Sequence, residues 1–297
     1  RLRALGWLGV IAAAAFVLIV QWRLPAPAPP AAASNALRIL AWNPAQHLAG
    51  FEEHLRRNDA DLYAIANPPL NFRWVAMEEH LGPNADGVKS SRLLLMSRYR
   101  VLRWGTTRLN VSGAKARTFR WPGGGMVSID RGEAIFATLD TSETLGRDIT
   151  VWHLDFPSDP DIHRETMMAE AAATLATFAG PIYERRPAYP DQRLEDQPPG
   201  FPPPDIILGD FNTPRGSHSL RTLTTFDHAF DRAGRGPAVT WHRKLPVLAI
   251  DHAFIAPWLD VARYETASLG VGQHLAQFVT VQPRPGESDA GRAAAAE

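Results

Sequence analysis

Residues 205–214 read DIILGDFNTP, an apolar run that ends in a carboxylate, Asp210, and an amide, Asn212, two positions apart. Side chains alternate along a strand, so these two point the same way while Phe211 packs behind them. A carboxylate and an amide held side by side suit a cation and a phosphate. The acid takes the metal or a proton, and the amide orients a phosphate oxygen or an attacking water. Asp and Asn after a glycine are also ordinary turn formers, so the segment alone does not choose between a site and a turn. Four other pieces share its build, an apolar run carrying a polar group. They are ILAWN ending at Asn43, VWHL with His153, AIDHAF with Asp251, and GQHL with Gln273 and His274. No single one is specific, because a lone histidine on an apolar strand is usually a hydrogen-bonded core residue.

Short apolar runs bounded by polar or turn residues predict the strands that position these groups. They fall at 37–42, 62–66, 93–96, 134–139, 149–154 and 206–208. Between the first two, Leu48, Phe51 and Leu55 fit one helix; residues 164–178 carry a longer helical stripe through Met167, Met168, Ala171, Leu175 and Phe178. Strands alternate with helices early and pair antiparallel later, which argues for an α/β chain whose sheets are covered by helices.

In this order and at these separations the set resembles the endonuclease/exonuclease/phosphatase superfamily, over nearly all of residues 37–281. MSRYRV at 96–101 is similar to that family's SRYP strand, and AGRGPAVTW at 233–241 leads into LPVLAIDHAF at 245–254. The resemblance implies a DNase I-like α/β fold, a four-layer sandwich of two packed mixed β-sheets flanked by helices. The active site is then expected where strand ends meet at one edge. It also implies hydrolysis of a phosphate ester. Matched position by position, Asn43 and Asp251 are expected beside a divalent metal, magnesium or manganese, and His153 against the phosphate. Asp210 corresponds to the base for the attacking water, Asn212 to the amide that orients it, and His274 to the group that stabilises charge on phosphorus. Such catalysis is positioning plus stabilisation of spread negative charge.

Two positions depart from the family pattern. DLYAIAN places Asn67, six residues after Asp61, where the family has its metal-holding glutamate. The last motif, Ser-Asp-His in the family, is here Gly272, Gln273, His274. A neutral Gln273 can position His274 but supplies no charge to hold it as imidazolium. Magnesium is often held by one or two carboxylates plus substrate phosphate and water, so a weakened site remains compatible with the residues left. Two readings follow: a metal-dependent, nuclease-like phosphodiesterase, or a catalytically impaired relative that binds a phosphate ligand or nucleic acid. Retention of six site residues favours the enzyme. Restoring a glutamate at Asn67 is expected to tighten divalent-ion binding, because it puts negative charge where the cation would sit. The substrate class stays open between nucleic acid, lipid head group and soluble phosphate, with Trp241 and Gln273 as candidate substrate contacts. Trp74, Trp104 and Trp121 are further aromatic candidates, though such residues are more often just packed.

With 297 residues, 45% of them hydrophobic, the chain can bury a sizeable core. Its 31 basic residues balance 31 acidic ones, so overall charge announces neither a nucleic-acid coat nor a cationic membrane binder. The absence of cysteine excludes disulfides, thiol nucleophiles and Cys-ligated metals. An uncharged run at 4–20, preceded by Arg1 and Arg3 and closed by Trp22 and Arg23, sits at the short limit for spanning a bilayer. The expected organisation is a transmembrane anchor or signal segment at 1–23, a Pro/Ala-rich linker at 24–36, the family domain at 37–282, and a disordered tail at 283–297. The positive-inside rule then puts the domain on the periplasmic or exterior face of an inner membrane, or the domain is secreted after cleavage. Residues 185–204, with seven prolines, read as one long excursion inside the domain. No protein partner is implied.

Overall fold

Every residue of Leu62–Ala66 and of Ile206–Asp210 is buried, which requires cover on both faces of the sheets that hold them. The computed structural model describes residues 2–16, 30–47, 49–121, 124–186 and 190–285, and it supplies that cover in four layers. The chain begins α1 (Leu2–Phe16), β1 (Leu37–Trp42), α2 (Phe51–Arg57), β2 (Leu62–Ala66), α3 (Val75–Leu81), β3 (Asp86–Lys89) and β4 (Leu93–Ser97). It continues through β5 (Val101–Arg108), β6 (Ala116–Trp121), β7 (Gly124–Ile129), β8 (Glu133–Leu139), α4 (Ser142–Leu145), β9 (Ile149–Asp155) and α5 (Arg164–Ala176). Then come β10 (Tyr183–Glu184), β11 (Gln192–Arg193), β12 (Ile206–Asp210), α6 (Leu220–Leu223), β13 (Asp227–His228) and α7 (Ala229–Ala233). The last strands are β14 (Asp251–Ile255), β15 (Leu259–Ala267) and β16 (Ala276–Pro283).

A six-stranded sheet runs β15-β16-β1-β2-β4-β3 and an eight-stranded sheet β11-β10-β5-β8-β9-β12-β14-β13; β6 and β7 form a separate hairpin. Both large sheets are mixed: β1 is parallel to β2 and β12 to β9, while the remaining pairs are antiparallel. The period of two along each strand sorts the core. Leu62, Ala64, Ala66, Ile206 and Leu208 meet between the sheets; Tyr63 and Ile65 face outward under Phe51, Leu55, Met77 and Leu81 of α2 and α3. On the other side Ile207, Phe136 and Leu154 lie under Met167, Met168, Ala171 and Leu175 of α5. This is the four-layer α/β sandwich that the sequence resemblance implied.

The described parts of the excursion at 185–204 stay with the domain. Part of it, β11, pairs with β10, and Phe201 returns to the core with its N–H bonded to the Leu175 carbonyl at 2.9 Å. Leu48, counted in the first expected helix, lies outside the described residues, and α2 begins at Phe51. Among the described residues no helix is long and apolar enough to cross a membrane: α1 has 15 residues. The end of the expected span and the first part of the linker, at 17–29, lie outside the described residues, as do tail residues 286–297.

Candidate active site

Strand register brings the site together. Asp210 on β12 stands directly opposite Asp251 on β14 and, on its other side, opposite Asp155 on β9. Asp155 in turn stands opposite Glu133 on β8. Directly opposed residues share a face with Cβ atoms about 5 Å apart, so four acids form one row across four strands. A row of like charges is unfavourable unless cations are set into it, and two are: His274 at the Asp251 end and Arg92 at the Asp155 end. Glycine lets β12 deliver Asp210. Gly209 has φ 144°, and a Cβ there would lie 1.8 Å from the Leu154 carbonyl oxygen.

At one end, His274 Nδ1 lies 2.8 Å from Asp251 Oδ2, and its Nε2 lies 3.8 Å from Asp210 Oδ2. All three residues are buried. Burial works against the imidazolium, but Asp251 and then Asp210 outweigh it and raise His274 to about 9. Burial and the neighbouring Asp251 push the Asp210 carboxyl up to about 7, held back by His274, the Asn212 N–H and the Asn43 amide. This corrects one expectation from the sequence. The charge that holds His274 as imidazolium was sought at position 273, where only an amide is found; the structure supplies it from Asp251, on another strand. Gln273 itself is exposed, and its carbonyl accepts from the Arg243 N–H at 2.7 Å. The His274 backbone is fixed by Trp42, whose Nε1 donates to its carbonyl at 3.2 Å, and by a bridge to Trp241, which sits half-buried at the rim.

In the middle, the Asn43 side-chain amide donates to Asp210 Oδ2 at 2.9 Å, while its Oδ1 accepts from the Ala45 N–H at 2.9 Å. The Asn212 N–H holds Asp210 Oδ1 at 2.9 Å, and the Asn212 side-chain amide donates to the Phe156 carbonyl at 2.7 Å. Asn212 adopts φ 46°, a left-handed conformation that asparagine tolerates. Phe211 does pack behind, stacked on Phe156. His153 is buried beside Leu208, and its Nδ1 has no hydrogen-bond partner among the described residues. Burial alone drives it down to about 3, so the ring is neutral.

At the far end sits Asn67, with φ 49°. Its Oδ1 accepts from Arg92 Nε at 3.1 Å, and its amide nitrogen is 3.5 Å from both Asn43 Oδ1 and Asp155 Oδ2. Arg92 pairs with Asp155 at 2.8 Å and with Asp130. Sequence reasoning missed both Arg92 and Asp155. Asp155 lies two residues after His153, on the same face of the same strand, so period two was a signal for it. Arg92, in a Ser-Ser-Arg turn, left none.

Behind the row runs a histidine pair. His252 Nε2 lies 2.7 Å from the Thr213 carbonyl, so it must donate; its Nδ1 then accepts from His228 Nε2 at 3.0 Å, and His228 Nδ1 accepts the Phe230 N–H at 3.1 Å. Burial pushes both rings down, His252 to about 4, so both are neutral and pin the 212–214 turn to β14. The other tryptophans are structural: Trp104 stacks on Tyr183 and donates to Asp191, and Trp74 packs against the α2/α3 core. The Trp121 side chain lies outside the described part.

Asp210, Asp251 and His274 each offer one ligand atom, all within 4.8 Å of one another, so the chain contains a candidate Asp/Asp/His cation site. By donor type the three fit a divalent ion, which would have to displace the proton on His274.

No protein-family model and no curated protein matches the sequence. Solved structures do match. The chain is similar to ANGEL2, titled a 2′,3′-cyclic phosphatase, with TM-score 0.51 and 9% identity over 86% of this chain and 98% of that one. It is similar to an endonuclease/exonuclease/phosphatase from Beutenbergia cavernae, with TM-score 0.50 and 12% identity over 84% of this chain and 72% of that one. A structure of D. rerio TDP2 with a single-stranded DNA product matches at TM-score 0.49 and 10% identity, over 83% and 99% of the two chains. The first two establish the fold: it is the DNase I-like fold of the endonuclease/exonuclease/phosphatase superfamily.

Proposed function

We propose that the chain is a phosphoesterase that cleaves a phosphodiester, nuclease-like, by direct attack of water. The observation that carries this reading is the buried Asp251–His274–Asp210 contact, in which one carboxyl is poised near neutral pH and one imidazole is held protonated. Asp210 takes a proton from water as the new P–O bond forms. His274 Nε2–H donates to a phosphoryl oxygen whose charge grows as the water oxygen adds to phosphorus; the leaving oxygen departs with the electron pair of its P–O bond and takes a proton from solvent. Asn43 and the Asn212 N–H hold the base in place. Because the Asn212 amide nitrogen is spent on Phe156, its Oδ1 is the end that can accept from the attacking water. A magnesium or manganese ion recruited with an anionic substrate, if held by Asp210, Asp251 and His274, would replace the His274 Nε2 proton and take over its part by polarising the phosphoryl group. His153 offers a neutral ring to the phosphate, and Trp241 a rim on which a base or head group can rest.

The test is turnover by the full chain of a model diester, single-stranded DNA and a model monoester, with and without manganese. Diester cleavage that falls at least about 100-fold in His274→Ala supports the reading. Phosphate binding with no turnover would instead select the impaired, ligand-binding alternative.

We also place the domain at the outer face of an inner membrane, carried by the N-terminal apolar run. The support is that run's composition and the exposure of Trp7, Leu8, Val10 and Ile11 on α1. Recovery of a shortened chain that lacks the N-terminal run in the soluble periplasmic fraction would count for cleavage instead.

A further inference from the structure

Asn67 stands where the resemblance expects a metal-holding carboxylate, and its surroundings do not fit a divalent ion. Its only side-chain oxygen is committed to Arg92 Nε at 3.1 Å, and its other end presents N–H groups to Asn43 and Asp155. The nearby carboxylates are engaged as well. Asp155 is bridged by Arg92 at 2.8 Å, Asp130 pairs with the same guanidinium, and Glu133 accepts the Arg92 N–H and both Ser90 and Ser91 hydroxyls. An ion placed here would lie beside a fixed positive charge in a setting where little water screens the two.

The placement of Arg92 is itself built in. The Asn67 N–H donates to the Arg92 carbonyl at 2.6 Å, and Glu133 ties down the turn that precedes β4. Backbone and side chain therefore both register Arg92 against the end of β2, the strand end that carries Asn67. A planar guanidinium fork can serve several oxygen acceptors at once, as a small hard cation does, but without exchange with solvent.

We propose that Arg92 takes the place of the ion at this corner, as a positioning residue that pairs Asp155 and orients the Asn67 amide toward Asn43 and the Asp210 row. The proposal rests on the phosphoesterase reading for why this corner matters, and it adds that a divalent ion here is replaced by the chain's own cation. It also alters the expectation for position 67. A glutamate introduced there meets the Arg92 guanidinium first, and it does so from a left-handed backbone position that glutamate adopts less readily than asparagine.

The test is manganese binding by the full chain without substrate, read by calorimetry and by the electron paramagnetic signal of the ion. Wild type is expected to bind no more than one manganese, and Asn67→Glu to gain none. Arg92→Met uncovers Asp130 and Asp155 and is expected to gain a site, tightened about tenfold further in Arg92→Met/Asn67→Glu. Added manganese should raise the melting temperature of these two variants further than it raises that of wild type or of Arg92→Lys, which keeps the charge. Should Arg92→Met fail to fold, Asn67→Glu and Arg92→Lys still decide the matter. A second manganese in wild type, or a new site in Asn67→Glu alone or in Arg92→Lys, overturns the proposal. No step of this test needs turnover. A chain that cleaves no diester yet shows this manganese pattern retires the proposed function and leaves Arg92 in its place.

Discussion

Asp251→Asn tests how the row holds its imidazolium. The substitution keeps the shape and leaves an oxygen to accept from His274 Nδ1, but it removes the charge 2.8 Å away. With Asp251 present His274 is raised to about 9. Without it, burial dominates, and His153, buried with no acid partner at about 3, shows how far burial alone can drive a ring. His274 should therefore titrate at or below its ordinary value of about 6.5. At pH 8, in chelator, its protonated fraction falls from about 90% to about 3%, so kcat/KM should drop roughly 30-fold. Asp210 is relieved by the same change, but at pH 8 it is already mostly ionised, so the loss falls on His274. Histidine NMR titration gives the midpoint and a diester assay gives the rate. A His274 midpoint still near 9 in Asp251→Asn would refute the reasoning, and so would an unchanged rate with a lowered midpoint.

Other outcomes follow from the same geometry. Manganese should bind more tightly at pH 9 than at pH 6, since an ion held by Asp210, Asp251 and His274 competes with the His274 proton; calorimetry showing the reverse order would contradict the site. His153 is depressed to about 3 in the fold, so the unfolded chain binds the extra proton and stability is lost as pH falls below about 6.5. His153→Leu should remove ~2 kcal/mol of the wild type's loss between pH 6.5 and pH 5, read from urea unfolding at the two values. Asp205 is buried and accepts from Arg147 at 2.7 Å, the Thr150 N–H at 2.8 Å and Trp258 Nε1 at 2.8 Å. Asp205→Ala leaves buried donors unmet at the start of β12 and should cost about 3 kcal/mol in urea unfolding without changing the residues that face substrate.

The layers were legible because buried strands write themselves as short apolar runs. LRILAW and LYAIA coincide with β1 and β2, and the other expected strands each lengthen by a residue or two at an end. Strands with a half-exposed face were not. In β5, VLRWGTTR, and β15, LDVARYETA, polar residues interrupt the apolar period, and the ladder rather than the composition defines them. The candidate site divides in the same way. Asn43, Asp210 and Asn212 stand at strand ends that the motifs mark, and the fold brings them together with Asp251 and His274, while His153 lies further down β9, beside Leu208. The partnerships were illegible, because they join positions distant in sequence through register. Position 273 looked like a lost charge only because nothing in the motif reveals that residue 251 reaches residue 274. The cation beside Asn67 comes from a turn 25 residues later, with no periodic signature to announce it.

The account depends most on water attacking phosphorus with Asp210 as its base. The most direct measurement is hydrolysis of bis(4-nitrophenyl) phosphate in 18O-labelled water by wild type and Asp210→Asn in parallel. The predicted result is one 18O in the 4-nitrophenyl phosphate released, none in the 4-nitrophenol, and a rate at least about 100-fold lower in the variant. Label in the phenol, or an Asp210→Asn chain that turns over at the wild-type rate, would contradict it.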